Sequence, residues 1–173
     1  MKPITKELRE KLIDLLQTAY SAELETVENY LSWSINLDGL HAQRVKDMLA
    51  ADIEDEMGHA KALAERIYVL GGIVPGSMQL HKNQRYLQPS PDKLDLIHVI
   101  RGVVTAEESA IQHYRLIAEM AEGADLPTQD LAIRLLNDEE MHRREFAGML
   151  REVEDREIAS GRMQEEEKRS LTY

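Results

Sequence analysis

Two short segments of this 173-residue chain place a carboxylate and an imidazole three residues apart: Glu56-Met57-Gly58-His59 and Glu139-Glu140-Met141-His142. On a helix such residues are neighbours, with Cβ atoms about 5–6 Å apart, so one pair can hold one ion jointly. A chain with this many Glu and His residues yields about 0.7 such pairs by chance, so position has to decide their meaning. Each pair is preceded by a matching stretch. Ala22-Glu23 lies 33 residues before Glu56 and Ala106-Glu107 lies 32 before Glu139, and each is followed by a β-branched residue four after the Glu and a Tyr seven after it. One half of the chain thus repeats the other at an offset of 83 or 84 residues.

The chemistry these six residues could do follows from charge. Glu23, Glu56, Glu107 and Glu139 ionised together in an interior would each lose several kcal/mol of hydration and repel one another. Two divalent cations cancel four negative charges. Carboxylate oxygen and imidazole nitrogen suit iron or manganese, with zinc as an opportunistic occupant. The chain has no cysteine, which excludes disulfides, thiolate zinc sites, cysteine nucleophiles and cysteine-held iron–sulfur clusters.

The elements that must position these residues are long helices. Leu8, Leu12, Leu15, Ala19, Glu23, Thr26, Tyr30, Trp33 and Leu37 fall on one helical face, and Asp38-Gly39 stops it. The stripe resumes from about His41 through Leu49, Asp52, Glu56, His59, Leu63 and Ile67 to a stop at Gly71-Gly72. Residues 71–91 hold three of the five prolines and no period, which suits a crossover running the length of a bundle. Ser90-Pro91-Asp92 reads as the start of a third helix carrying Ile100, Val103, Glu107, Tyr114 and Ile117. Pro127 opens a fourth with Leu131, Leu135, Glu139, His142, Phe146 and Met149. All six candidate ligands lie on the apolar stripes. The expected fold is all-α: a four-helix bundle of two hairpins joined by one long crossover, with a bundle over about 5–158 and a tail or short extra helix over 159–173.

A net charge of −11 repels phosphate backbones, so nucleic acid is not an expected partner. The first residues are charged and no apolar run approaches about 18 residues. A cytoplasmic protein with no membrane span is the expectation.

Over roughly residues 5–155 the sequence resembles the ferritin-like superfamily, and within it bacterioferritin. The likeness is densest at Asp55-Glu56-Met57-Gly58-His59-Ala60, Glu65-Arg66-Ile67, Leu70-Gly71-Gly72 and Asp138-Glu139-Glu140-Met141-His142. The resemblance implies that Glu56 and Glu139 bridge two iron ions, that Glu23 with His59 holds one, and that Glu107 with His142 holds the other. It implies a ferroxidase, oxidising two Fe(II) with dioxygen or hydrogen peroxide and storing the ferric product in a homo-oligomeric cage. Tyr30, near Glu23 by spacing, would be a redox-active phenol or a core tyrosine bonded to a carboxylate. Met57, about 100° around the helix from Glu56, would face away from the axis, as a haem b ligand across a dimer interface or as interface packing. Two other functions remain open: a DNA-protecting mini-ferritin, whose iron site usually lies between subunits, and a non-storage oxidase or peroxidase resembling rubrerythrin without its cysteine-held part. Asp52, one turn before Glu56, reads as an accessory acid on an iron path or the partner of a base.

Overall fold

The computed structural model describes residues 4–170, with side chains to residue 156. Four helices follow in order: α1 (Lys6–Asn36), α2 (Ala42–Val69), α3 (Leu96–Ala121) and α4 (Leu126–Ser170). Helix α1 starts where the Thr5 hydroxyl accepts the Leu8 amide at 3.2 Å, with Glu7 complementing the helix dipole. Helix α2 ends at Gly71, whose φ of 80° lets the Gly72 amide turn back onto the Ile67 carbonyl and its own amide onto Tyr68, both at 2.9 Å. Hairpins α1–α2 and α3–α4 pack along their lengths, α1 meets α3 more sparingly, and α2 meets α4 over a short stretch.

Two boundaries differ from expectation. Helix α3 begins at Leu96, capped by Asp95 accepting the His98 amide at 2.9 Å. The Ser90-Pro91-Asp92 stretch instead forms tight turns, because the Ser90 hydroxyl accepts the Asp92 amide and the Asp92 carboxylate accepts Leu94, consuming donors a helix would need. Helix α4 also runs unbroken through the region expected as a separate tail or extra helix. Between Arg151 and Ser170 there is no proline and one glycine, and Glu, Arg, Lys, Gln and Ala there favour helix. Residues 171–173 of that expected tail lie outside the described residues.

The crossover lies flat on the bundle and is tied to α1. Glu25, buried, accepts the amides of Asn83 at 2.8 Å and Gln84 at 3.0 Å. The buried Gln84 amide donates to Thr26 Oγ1 at 2.7 Å, and Trp33 Nε1 donates to the Leu87 carbonyl at 2.9 Å. Nothing in the apolar pattern marks Glu25 for this role.

The core is split in two. One apolar cluster gathers Trp33, Leu37, Val45, Leu49, Leu87, Ile100, Val103 and Phe146; the other gathers Leu12, Leu16, Leu63, Ile67, Ile117, Leu131 and Leu135. Each fully buried aliphatic or aromatic side chain contributes about 1.5–3 kcal/mol. Between the clusters lies a polar layer, affordable only because both neighbours are so apolar.

Candidate metal centre

That layer contains all six predicted residues. Glu23 comes from α1, Glu56 and His59 from α2, Glu107 from α3, and Glu139 and His142 from α4. Glu56 and Glu139 are each 1% exposed. They belong to two overlapping groups, Glu23–Glu56–His59–Glu139 and Glu56–Glu107–Glu139–His142, in each of which the donor atoms lie within 4.8 Å of one another. His59 Nδ1 sits 3.0 Å from Glu139, 3.3 Å from Glu56 and 3.9 Å from Glu23. His142 Nδ1 sits 3.3 Å from Glu139 and 3.8 Å from Glu56. The two imidazoles lie 6.3 Å apart, nearly parallel.

The fit to metal is tested by atoms left without partners. Glu56 Oε2, His59 Nδ1 and Glu139 Oε1 are buried and make no hydrogen bond among the described residues. Orphaned buried polar atoms cost about 1–3 kcal/mol each, so three that converge on one point need a common partner. A cation is the partner that suits oxygens and an imidazole nitrogen at once.

Electrostatics of the protein alone says the same. Burial pushes the Glu23, Glu56 and Glu107 carboxyls up, and neighbouring carboxylates, Glu139 for Glu23 and Glu107 and Glu23 for Glu56, add to it. Burial would raise Glu139 too, but the His142 bond and the adjacent His59 imidazole hold it down to about 2. His142 rises to about 9, since its bond to Glu139 outweighs the burial that would lower it. Glu139 is thus the carboxylate that keeps its charge between two imidazoles.

Both imidazoles are backed by an acid from the opposite hairpin. His59 Nε2 lies 3.7 Å from Asp138, and His142 Nε2 lies 3.7 Å from Asp55. At 3.7 Å these are charge contacts rather than hydrogen bonds, and they place an acid behind each ring, with Nδ1 toward the glutamates. The doubled Asp-Glu-x-x-His spelling was the available signal for these two acids, and only its Glu and His were assigned from sequence.

Tyr30 is bonded to a carboxylate of the cluster, and that carboxylate is not Glu23. Its hydroxyl donates to Glu107, and Tyr114, absent from the candidate residues, donates to Glu23. Burial raises both phenols well above their usual range, and the carboxylate charge beside each adds to it, so both stay protonated donors. The matching Tyr seven residues after each Glu could have revealed Tyr114. Met57 stands apart from the cluster, 47% exposed. Asp52 groups with Asp55 and His142, their donor atoms within 4.8 Å, but its Oδ2 is buried with no hydrogen bond among the described residues, and burial raises it to about 6 against the lowering effect of His142.

A four-helix bundle crossed at mid-length by four glutamates and two histidines in duplicate is the design of ferritin-like di-metal carboxylate proteins. The chain belongs to the ferritin-like domain family, whose model matches residues 13–155. It is 28% identical over 143 residues to a DNA protection during starvation protein of Pyrococcus furiosus, covering 82% of this chain and 77% of that one. Among solved structures it is similar to a dodecameric thioferritin, the bacterioferritin-related protein of Bacteroides fragilis, with a TM-score of 0.78, 26% identity and coverage of 87% and 90%. A ferritin-like diiron-carboxylate protein of Bacillus anthracis str. Ames shares the fold at a TM-score of 0.72 and 23% identity, covering 84% and 99%. The narrower likeness to bacterioferritin does not carry past the family, since the sequence relative is a starvation DNA-protection protein. Among the described residues no helix is long and apolar enough to cross a membrane.

Proposed function

We propose that this chain is a ferroxidase that binds two Fe(II) ions in the six-residue cluster, oxidises them, and stores the ferric product in a homo-oligomeric shell. The observation that carries the reading is the sharing of Glu56 and Glu139 between the two donor groups. Two carboxylates common to both groups suit a pair of ions that react together. Glu23 with His59 and Glu107 with His142 complete one position each.

The reaction balances without a further partner. Two Fe(II) each lose one electron; with hydrogen peroxide and two protons the O–O bond breaks and two waters form, and with dioxygen and two protons hydrogen peroxide forms. Within the chain, the tyrosine hydroxyls hold Glu23 and Glu107 by one oxygen each, and Asp138 and Asp55 stand behind the imidazoles at 3.7 Å. A shell is supported by the dodecameric assembly of the Bacteroides fragilis protein. Cytoplasmic location fits this chemistry.

Anaerobic Fe(II) titration of the purified protein is expected to reach two ions per chain, and aeration is expected to build a mineral of many irons per particle. Two irons per chain with no mineral would leave an oxidase and remove storage. The double change Glu56→Ala with Glu139→Ala is expected to abolish oxidation while the helices persist by circular dichroism.

A second reading, DNA protection, is favoured by the named relative in Pyrococcus furiosus. The charge of −11 opposes it, and a mobility shift at low salt decides. Haem b between Met57 thioethers of two copies is a separate proposal resting on the exposure of Met57 and the sequence likeness; a Soret band in protein as isolated tests it.

A further inference from the structure

A cavity of about 150 Å³ opens between α1 and α3 and reaches the cluster from the side away from both histidines. Its floor is formed by Glu23, Glu56, Glu107 and Glu139. Above the floor its walls mix alanines (Ala19, Ala22, Ala106, Ala110) with Thr, Ser and Tyr hydroxyls and the His113 imidazole, and no other carboxylate lines it. Asn83 and Gln84 of the crossover roof it, and the Glu25 and Thr26 bonds that pin those residues keep the opening narrow.

We propose that this cavity is the port for a small neutral oxidant of the O–O class, and that Fe(II) reaches the same cluster from the α2–α4 face. The inference rests on the ferrous-oxidation reading above. A divalent cation crossing this passage would lose hydration with no carboxylate along the walls to replace it, whereas a neutral diatomic or peroxide molecule carries no such penalty. The space suffices, since a cavity holding one water needs only about 10–15 Å³. The α2–α4 face offers the cation what the port lacks. Asp55 and Asp138 are solvent-accessible there and stand 3.7 Å from the outer nitrogens of His142 and His59, with Asp52 beside them. This division gives the buried hydrogen bonds of the crossover a purpose: they hold a roof over a passage whose walls carry no carboxylate.

The test narrows the port without touching a candidate ligand. Ala110→Leu, in the wall, is compared with Thr18→Phe at the exposed rim, which spares the interior should the first variant fold poorly. Loading is followed without oxidant by Co(II) absorbance, and oxidation by stopped flow with hydrogen peroxide under argon and, separately, with dioxygen. Both variants are expected to bind two Co(II) per chain at the wild-type rate while the second-order constant for oxidant falls by about tenfold. Equal slowing of Co(II) loading, or an unchanged oxidant constant, overturns the port. Slowing with one oxidant alone supports the port for that oxidant and overturns it for the other. Wild-type protein that takes up no Co(II) defeats the ferrous-oxidation reading itself, before any variant is compared.

Discussion

Glu23 and Glu107 each give one oxygen to a tyrosine of the opposite hairpin, which leaves the other oxygen free; Oε2 of Glu23 lies 3.9 Å from His59 Nδ1. A buried carboxylate tethered by one oxygen cannot swing away when the interior is free of cations. Removing the donor should therefore be felt in stability as well as in geometry. Tyr114→Phe is expected to lower the unfolding free energy of metal-free protein by about 1–3 kcal/mol, the cost of an unsatisfied buried acceptor. Tyr30→Phe should lose a similar amount, because the two hydroxyls hold equivalent carboxylates. Urea titration at pH 7 checks both, and a loss in one variant only would show that the two halves are not energetically equivalent.

At the scale of elements, the crossover and α3 meet so closely that one glycine is required. A Cβ on Gly102 would stand 2.7 Å from the Tyr86 carbonyl and 3.2 Å from Leu87 Cδ1, so Gly102→Ala is expected to cost about 1–3 kcal/mol through overpacking. Gly148 in α4 has nothing within 4 Å, and Gly148→Ala should stabilise by about 0.5–1 kcal/mol from helix propensity. Thermal unfolding of the two variants, with opposite signs expected, is the check. The contrast also explains what the sequence could reveal. Four helices and six inward-facing candidate ligands were legible because the 3.6-residue period passes through Glu23, Glu56, His59, Glu107, Glu139 and His142 in two copies. Tyr30 bonds a carboxylate, as one of its two readings had it, but that carboxylate is Glu107 on α3 and not Glu23 of its own helix. Such register between helices is set by packing, and no spacing within one helix encodes it. The start of α3 was missed for a related reason: Ser90 and Asp92 are good caps that the chain spends on turns.

Across the whole molecule the two hairpins are joined at one end by Arg66, in the last turn of α2, which reaches Asp125 at 2.6 and 2.7 Å and Thr128 at 2.7 Å at the start of α4. Burial alone would raise the Asp125 carboxyl, but bonds from Thr128 and Arg66 hold it below the usual range. A depressed acid contributes stability above its unfolded value of about 4, and that contribution disappears as pH falls through the folded value. Wild type should thus lose stability below about pH 4 more steeply than Asp125→Asn, which should start from a lower value at pH 7. Farther along the bundle the hairpins are held apart as much as together, since Glu56 and Glu139 face each other where α2 and α4 meet only briefly. A divalent cation there converts the repulsion into a clasp between the hairpins. At free metal about 100 times its dissociation constant, one site adds about 2.7 kcal/mol, roughly 5–10 °C in midpoint for a chain of this size. Anaerobic Fe(II) or Co(II) is expected to raise the midpoint by that order, and chelation to reverse it. Amide exchange should slow most around residues 52–60 and 135–143, where the clasp closes. A rise spread evenly over all four helices would mean that the cation binds elsewhere and that the acid layer is neutralised by its protons alone.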